Sequence, residues 1–202
     1  MQTKGCESVA KIKQDLNFNE NLLGEDLKFK TTWGLFSPRA IDEGTQLMLS
    51  HIDKSCNIGD SETILDIGCG YGPLGLALGK RAFNGRVHLV DRDYIAVEYA
   101  QRNAEINSLN NCRAYLSNGL SEVPKDIMFD TVVSNIPAKV GREMLTILLC
   151  DTYAQLKPGG QMVVVTINGL RDFIKNNFKH VFGNYKKLKQ GKSYTVARAI
   201  KE

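Results

Sequence analysis

The chain has 202 residues, 43% hydrophobic and 24% charged, with 26 Lys and Arg against 22 Asp and Glu for a formal net charge of +4. That length holds one α/β domain with a short appendage and leaves too little for a second full domain. No apolar run approaches the roughly 20 residues that cross a bilayer, and residues 1–14 lack the apolar core of a secretory signal, so a cytoplasmic protein is expected.

Residues 1–25 are polar and irregular and read as a loosely held N-terminal arm ahead of a domain spanning 26–202. In that domain a strand is expected over 26–32, a turn over 33–38 and a helix over 40–51. The apolar run beginning at Thr63 carries Asp66 and ends in three alternating glycines, Gly68, Gly70 and Gly72, after which a helical segment opens at Pro73. A second apolar strand, 86–90, ends at Asp91. A helix over 94–107 and strands over 112–116 and 129–134 follow, the last leading into Asn135-Ile136-Pro137. A helix over 141–156 is stopped by Lys157-Pro158-Gly159-Gly160. The run 161–167 is apolar almost throughout, as a strand buried on both faces must be. A helix over 170–178 and two β-rich runs, 180–187 and 193–200 with Gly191 in the turn between them, complete the chain. This alternation predicts an α/β fold, a doubly wound and mostly parallel seven-stranded sheet with a C-terminal antiparallel strand pair.

The five cysteines, Cys6, Cys56, Cys69, Cys112 and Cys150, are odd in number and contain no Cys-x-x-Cys pair, and His51, His88 and His180 are dispersed. Neither a disulfide framework nor a metal site is expected. Basic residues are unevenly placed, with Lys175, Lys179, Lys186, Lys187, Lys189, Lys192, Arg198 and Lys201 in the last 30 positions. Such a cluster suits phosphate contacts and equally suits a solvated surface.

The glycine run reads as a cofactor loop, since glycines let the backbone turn sharply and approach a ligand with no Cβ in the way. Asp66 argues for the kind of ligand. An acid beside the loop repels a pyrophosphate and attracts a cationic amino-acid moiety, which favours S-adenosylmethionine over a dinucleotide. The Gly-x-Gly-x-x-Gly spacing of dinucleotide loops also fails, because position 73 is Pro73. Asp91 lies 25 residues after Asp66, the spacing at which an acid ending the second strand reaches a ribose. Asn135-Ile136-Pro137 follows the fourth strand at the carboxyl edge of the sheet, where open α/β folds bind ligands. There an Asn amide oxygen and the next backbone carbonyl can accept hydrogen bonds from an exocyclic amine and hold its lone pair in place. Lys139 and Arg142 flank that turn and are the expected phosphate contacts if the acceptor is RNA.

The segments Phe29-Lys-Thr-Thr-Trp-Gly-Leu-Phe-Ser37, Ile41-Asp-Glu-Gly-Thr-Gln-Leu47, Asp66-Ile-Gly-Cys-Gly-Tyr-Gly-Pro-Leu-Gly75, Ser117-Asn-Gly119 and Asn135-Ile-Pro137 together resemble the methyltransferase small-domain family. The resemblance runs from about Leu27 to the C-terminus. It implies an S-adenosylmethionine site at Asp66, Gly68, Cys69, Gly70, Gly72, Asp91 and Arg92, an adenine contact at Ser117, Asn118 and Gly119, and a cover over the cofactor that includes Phe36. Best-known members methylate guanine N2 in small-subunit ribosomal RNA, which implies ribosomal RNA or the small subunit as partner and Asn135, Ile136 and Pro137 as the catalytic turn. Here Ile136 stands where the family has a proline, and Ala138 where it has a larger side chain. The backbone carbonyl survives that exchange; the stacking ring does not. Methylation of a small molecule or a protein amide, and a non-catalytic RNA-binding assembly factor, are the other readings.

Overall fold

The computed structural model describes residues 14–137 and 140–202. It opens on a hairpin: β1 (Leu16–Leu22) and β2 (Glu25–Thr31) pair antiparallel, Leu16 opposite Thr31 and Leu22 opposite Glu25. Leu23 and Gly24 make the turn, both at positive φ. The expected irregular arm is thereby corrected over 16–22, and its first 13 residues lie outside those described. Strict alternation makes the strand. Leu16, Phe18, Glu20 and Leu22 turn inward and Asn17, Asn19 and Asn21 between them outward, and the Phe18 ring stacks on Phe29 at 5.4 Å and meets Tyr71 edge-on at 6.2 Å.

After the hairpin the chain runs α1 (Glu43–Cys56), β3 (Thr63–Ile67), α2 (Pro73–Arg81), β4 (Arg86–Asp91), α3 (Tyr94–Ile106), β5 (Cys112–Leu116), β6 (Phe129–Asn135), α4 (Arg142–Gln155), β7 (Leu156–Ile167), a 3₁₀ turn (Asn168–Leu170), α5 (Arg171–Phe182), β8 (Lys186–Gln190) and β9 (Tyr194–Ile200). The seven later strands form one sheet in the order β5-β4-β3-β6-β7-β9-β8. The first five are parallel, and β9 inserts antiparallel between β7 and β8. Strand order reverses at β3 and β6, so a crevice opens between their carboxyl ends.

Successive strand residues supply opposite faces. Ile64, Leu89, Val133, Val163 and Val165 pack with Met48, Ile52, Leu76 and Ala100 of α1 to α3 on one side. Leu65, Val90, Val132, Met162 and Val164 pack with Leu145, Leu149, Ile174 and Phe178 of α4 and α5 on the other. The period of two, with both parities apolar, is what commits these strands to the middle of a three-layer fold.

Three expected boundaries move. The helix expected over 40–51 runs Glu43–Cys56, because the Asp42 side chain caps it by accepting from the Gly44 and Thr45 amides. The turn expected at Lys157-Pro158-Gly159-Gly160 lies inside β7 as an irregularity, with Leu156 already paired to Phe129 and the Gly159 N–H bonded to the Lys201 carbonyl at 2.7 Å. The run expected as strand from His180 is helical to Phe182, and β8 begins only at Lys186. Gly183, at φ 76°, ends that helix in the left-handed conformation.

The hairpin is tied to the body through side chains. Asn103 of α3 accepts from the Lys30 N–H at 2.7 Å and donates to the Lys30 and Tyr71 carbonyls, each at 2.9 Å. One turn on, Asn107 makes the same exchange with Lys28, at 2.9 and 2.7 Å.

Candidate active site

The glycine loop leaves β3 anchored to β4: the Val90 carbonyl accepts both the Gly68 and Cys69 N–H groups, at 2.8 and 3.0 Å. Gly68 and Gly70 sit at φ 71° and 56°, and a Cβ added to either would meet nothing within 4 Å. They therefore border open space at the carboxyl edge, in a conformation that side chains resist. Gly75 is glycine for the opposite reason, since its Cβ would come within 2.9 Å of both Asp66 Oδ2 and Leu89. Cys69 is buried, and burial raises its thiol pKa well above the usual range, so it is a packing group of the loop.

The two acids take different places. Asp66 is 1% exposed and its Oδ2 accepts the Gly75 N–H at 2.8 Å, under the first turn of α2. Burial pushes its pKa from 3.8 up to about 7, with the Gly75 bond pulling it down and the Asp91 charge pushing it up. Asp91 is half-buried and holds the rim, Oδ2 accepting from Gly70 N–H and Oδ1 from Asp93 N–H, both at 3.0 Å. Each oxygen retains a second lone pair for a ligand hydroxyl. Arg92, next in the chain, is exposed.

The Ser117 N–H donates to the Asp91 carbonyl at 2.9 Å, which brings the turn after β5 beside that acid. Ser117 itself is buried; its hydroxyl donates to the Gly119 carbonyl at 2.8 Å and accepts from Glu122 N–H at 3.1 Å, so it shapes the turn. Asn118 is exposed at its tip, and Gly119 takes φ 61°. On the other flank Phe36 is 68% exposed, on a loop fixed to the glycine loop by the buried Tyr71, whose hydroxyl is within hydrogen-bonding distance of the Ser37 carbonyl at 3.1 Å and the Ala40 carbonyl at 3.3 Å.

Asn135 ends β6 across the crevice from the glycines. Its Nδ2 donates to Asp42 Oδ1 at 3.0 Å and to Thr45 Oγ1 at 3.1 Å. Ile136 is 3% exposed and its N–H donates to the Val165 carbonyl at 2.9 Å, which pins the turn to β7; Pro137 is exposed. Of the expected phosphate contacts, Arg142 opens α4 with its guanidinium 5.8 Å from the centre of the Phe173 ring, and Lys139 lies outside the described residues. Asp42, Thr45, Tyr71 and Asn103 support this site and were not singled out from the sequence as site residues. The Asp42-Glu43-Gly44-Thr45 pattern signals a helix cap, and nothing local signals that the cap reaches Asn135, 93 residues away.

Among the described residues no group of His, Cys, Asp and Glu could hold a metal ion, and no helix is long and apolar enough to cross a membrane. The open cradle over Gly68 and Gly70, with a carboxylate on each side of the loop, fits a nucleoside carrying a cationic amino-acid arm. Fold and loop together define a class I methyltransferase whose cofactor is S-adenosylmethionine. The pattern of the "Methyltransferase small domain" matches residues 26–198, and the chain belongs to that family.

Among its relatives, Bacillus subtilis (strain 168) YbxB, of uncharacterized function, is 29% identical over 196 residues, 96% of this chain and 94% of that protein. Ribosomal RNA large subunit methyltransferase G of Shewanella amazonensis is 29% identical over 181 residues, 87% of this chain and 46% of that protein. The structure of the T. Thermophilus 16S rRNA N2 G1207 methyltransferase with AdoMet and guanosine superposes with a TM-score of 0.83 at 26% identity, over 93% of this chain and 51% of that one. The chain thus spans nearly all of the Bacillus protein and about half the length of the two ribosomal RNA methyltransferases.

Proposed function

We propose that the protein methylates the exocyclic N2 amine of guanine in ribosomal RNA, of the small subunit, in the cytoplasm. The observation that carries this reading is the Asn135 amide, held at the carboxyl edge beside the glycine loop with both its N–H groups bonded inward. Its oxygen is left to accept an N–H from the acceptor. S-adenosylmethionine supplies a methyl group already activated on a sulfonium, so the residues of the chain need chiefly to place the acceptor in line with it. Asn135 Oδ1 and the Ile136 carbonyl hold the amine with its lone pair forward. That lone pair forms the N–C bond as the C–S bond breaks and its electrons return to sulfur, and the surplus proton on nitrogen passes to water.

We assign the remaining roles on the same reading. Gly68 and Gly70 admit the cofactor backbone, Asp66 faces its ammonium end, and Asp91 takes the ribose hydroxyls, with Arg92 beside it. Asn118 and Gly119, with Ser117 beneath, border the adenine, and Phe36 closes over the site. Lys139 and Arg142 meet phosphates beside the nucleotide that must leave its stack to reach Asn135.

The test is tritium transfer from labelled S-adenosylmethionine to ribosomal subunits and RNA lacking the modification, followed by nucleoside analysis. Label in N2-methylguanosine supports the reading. Label in another nucleoside, in a protein amide or in a small molecule replaces the acceptor, and cofactor binding without transfer to any acceptor favours the assembly-factor reading.

A further inference from the structure

Asp42 caps α1, yet the cap alone does not account for its geometry. Its Oδ1 receives three donors, the Gly44 N–H at 2.9 Å, the Thr45 N–H at 3.1 Å and Asn135 Nδ2 at 3.0 Å. The second proton of Nδ2 goes to Thr45 Oγ1 at 3.1 Å. An amide nitrogen has two protons to give, and here both are spent on one helix terminus. The flipped arrangement would set the amide oxygen against the Asp42 carboxylate, a repulsion that a bond from the Thr45 hydroxyl does not remove, so oxygen and nitrogen of this side chain are not interchangeable. Thr45 is 2% exposed, which keeps water from taking its place.

We propose that Asp42 and Thr45 are positioning residues that fix which kind of nucleophile the site accepts. With both N–H groups consumed, Asn135 shows the acceptor only a hydrogen-bond acceptor, and a nucleophile bearing N–H satisfies it while a bare carbonyl oxygen does not. The charge on Asp42 adds to this, because an amide that donates to a carboxylate carries more negative charge on its oxygen and so grips an amine proton more firmly. The inference rests on the amine-methylating reading above, and it supplies the reason that a single amide can orient a weakly basic amine without a general base.

The test separates clamp from fold. Thr45→Val keeps the shape of a buried side chain and removes one acceptor, and Thr45→Ser restores it. In Thr45→Val, kcat is expected to fall about tenfold, with KM for RNA changed less, cofactor Kd by calorimetry within twofold, and the serine variant recovering most of the loss. Independently of turnover, ¹⁵N spectra of the wild-type protein should show the two Asn135 side-chain amide protons slowed in exchange, and Thr45→Val should release one of them. Asp42→Asn keeps a capping oxygen without the charge and is expected to lower kcat further than it lowers thermal stability. If Thr45→Val and Asp42→Asn both turn over at wild-type rates, or if the Asn135 amide protons exchange as freely as those of an exposed asparagine, the clamp is wrong even where the enzyme methylates guanine. A methyl group found on an acceptor atom that carries no proton, such as a carbonyl oxygen or a ring nitrogen without N–H, overturns the assignment of nucleophile class. Absence of transfer from the wild-type protein to any RNA sinks the function proposed above, while the amide-proton measurement still decides the clamp.

Discussion

Asp66 makes stability and cofactor binding pull in opposite directions with pH. Its carboxyl is 1% exposed and its pKa is pushed from 3.8 up to about 7. Between those two values the folded protein keeps a proton that the unfolded chain has lost, so stability falls as pH rises, by about 1.4 kcal/mol per unit and roughly 4 kcal/mol in all. Below 3.8 both states are protonated and above about 7 both are ionised, so outside that window the group adds no slope. Asp66→Asn keeps an oxygen for the Gly75 N–H and carries no charge. In the absence of cofactor its stability should match the wild type near pH 4 and exceed it by up to about 4 kcal/mol at pH 8, roughly 10 °C in melting temperature for a domain this size. The cofactor reverses the preference, since its ammonium group favours the ionised acid. Affinity should therefore be flat above pH 7 and weaken up to tenfold per unit below it, with proton release on binding visible as a buffer-dependent calorimetric enthalpy. Denaturant titrations of both proteins from pH 5 to 8 and cofactor titrations over the same range make the check. A constant stability difference, together with pH-independent affinity, would refute the placement of a buried, protonated acid under the loop.

Asp91→Ala should weaken cofactor binding by roughly 2–4 kcal/mol, since it removes a charged acceptor from two ribose hydroxyls, and unchanged calorimetry would take Asp91 off the ribose. Asn135→Ala should leave cofactor affinity within a few-fold and lower turnover at least about tenfold; normal single-turnover rates would end its catalytic role. Replacing Lys139 and Arg142 together by Ala should flatten the slope of log RNA affinity against log salt by roughly one to two units without touching cofactor binding. An unchanged slope would move the phosphate contacts elsewhere.

What the sequence made legible was whatever depends on near neighbours. Runs such as Met162 to Val165 announce a strand buried on both faces because every residue in them is apolar, and the core bears this out. The glycine loop was readable because its residues lie within ten positions of one another. β1 was missed because its inward leucines and phenylalanine alternate with asparagine, a residue that favours turns. Val181 and Phe182 were assigned to a strand because a short apolar run does not declare its period, and only Gly183 marks where the helix stops. The site divided the same way. Asp91 and Asn135 could be named from their distance after a strand, whereas their partners in space could not. Asp66 was named as a cofactor residue from its place at the end of the strand, whereas its burial under the first turn of the next helix, where it accepts the Gly75 N–H, was not legible.

Asn103 donates one proton to a carbonyl of the hairpin and the other to a carbonyl of the glycine loop. Two segments remote in the chain are thereby held by one latch. Lifting the hairpin takes both Lys30 partners from the Asn103 amide, and distorting the loop takes the Tyr71 carbonyl from it. The hairpin and the cofactor loop therefore share one side chain, and a substitution at Asn103 disturbs both.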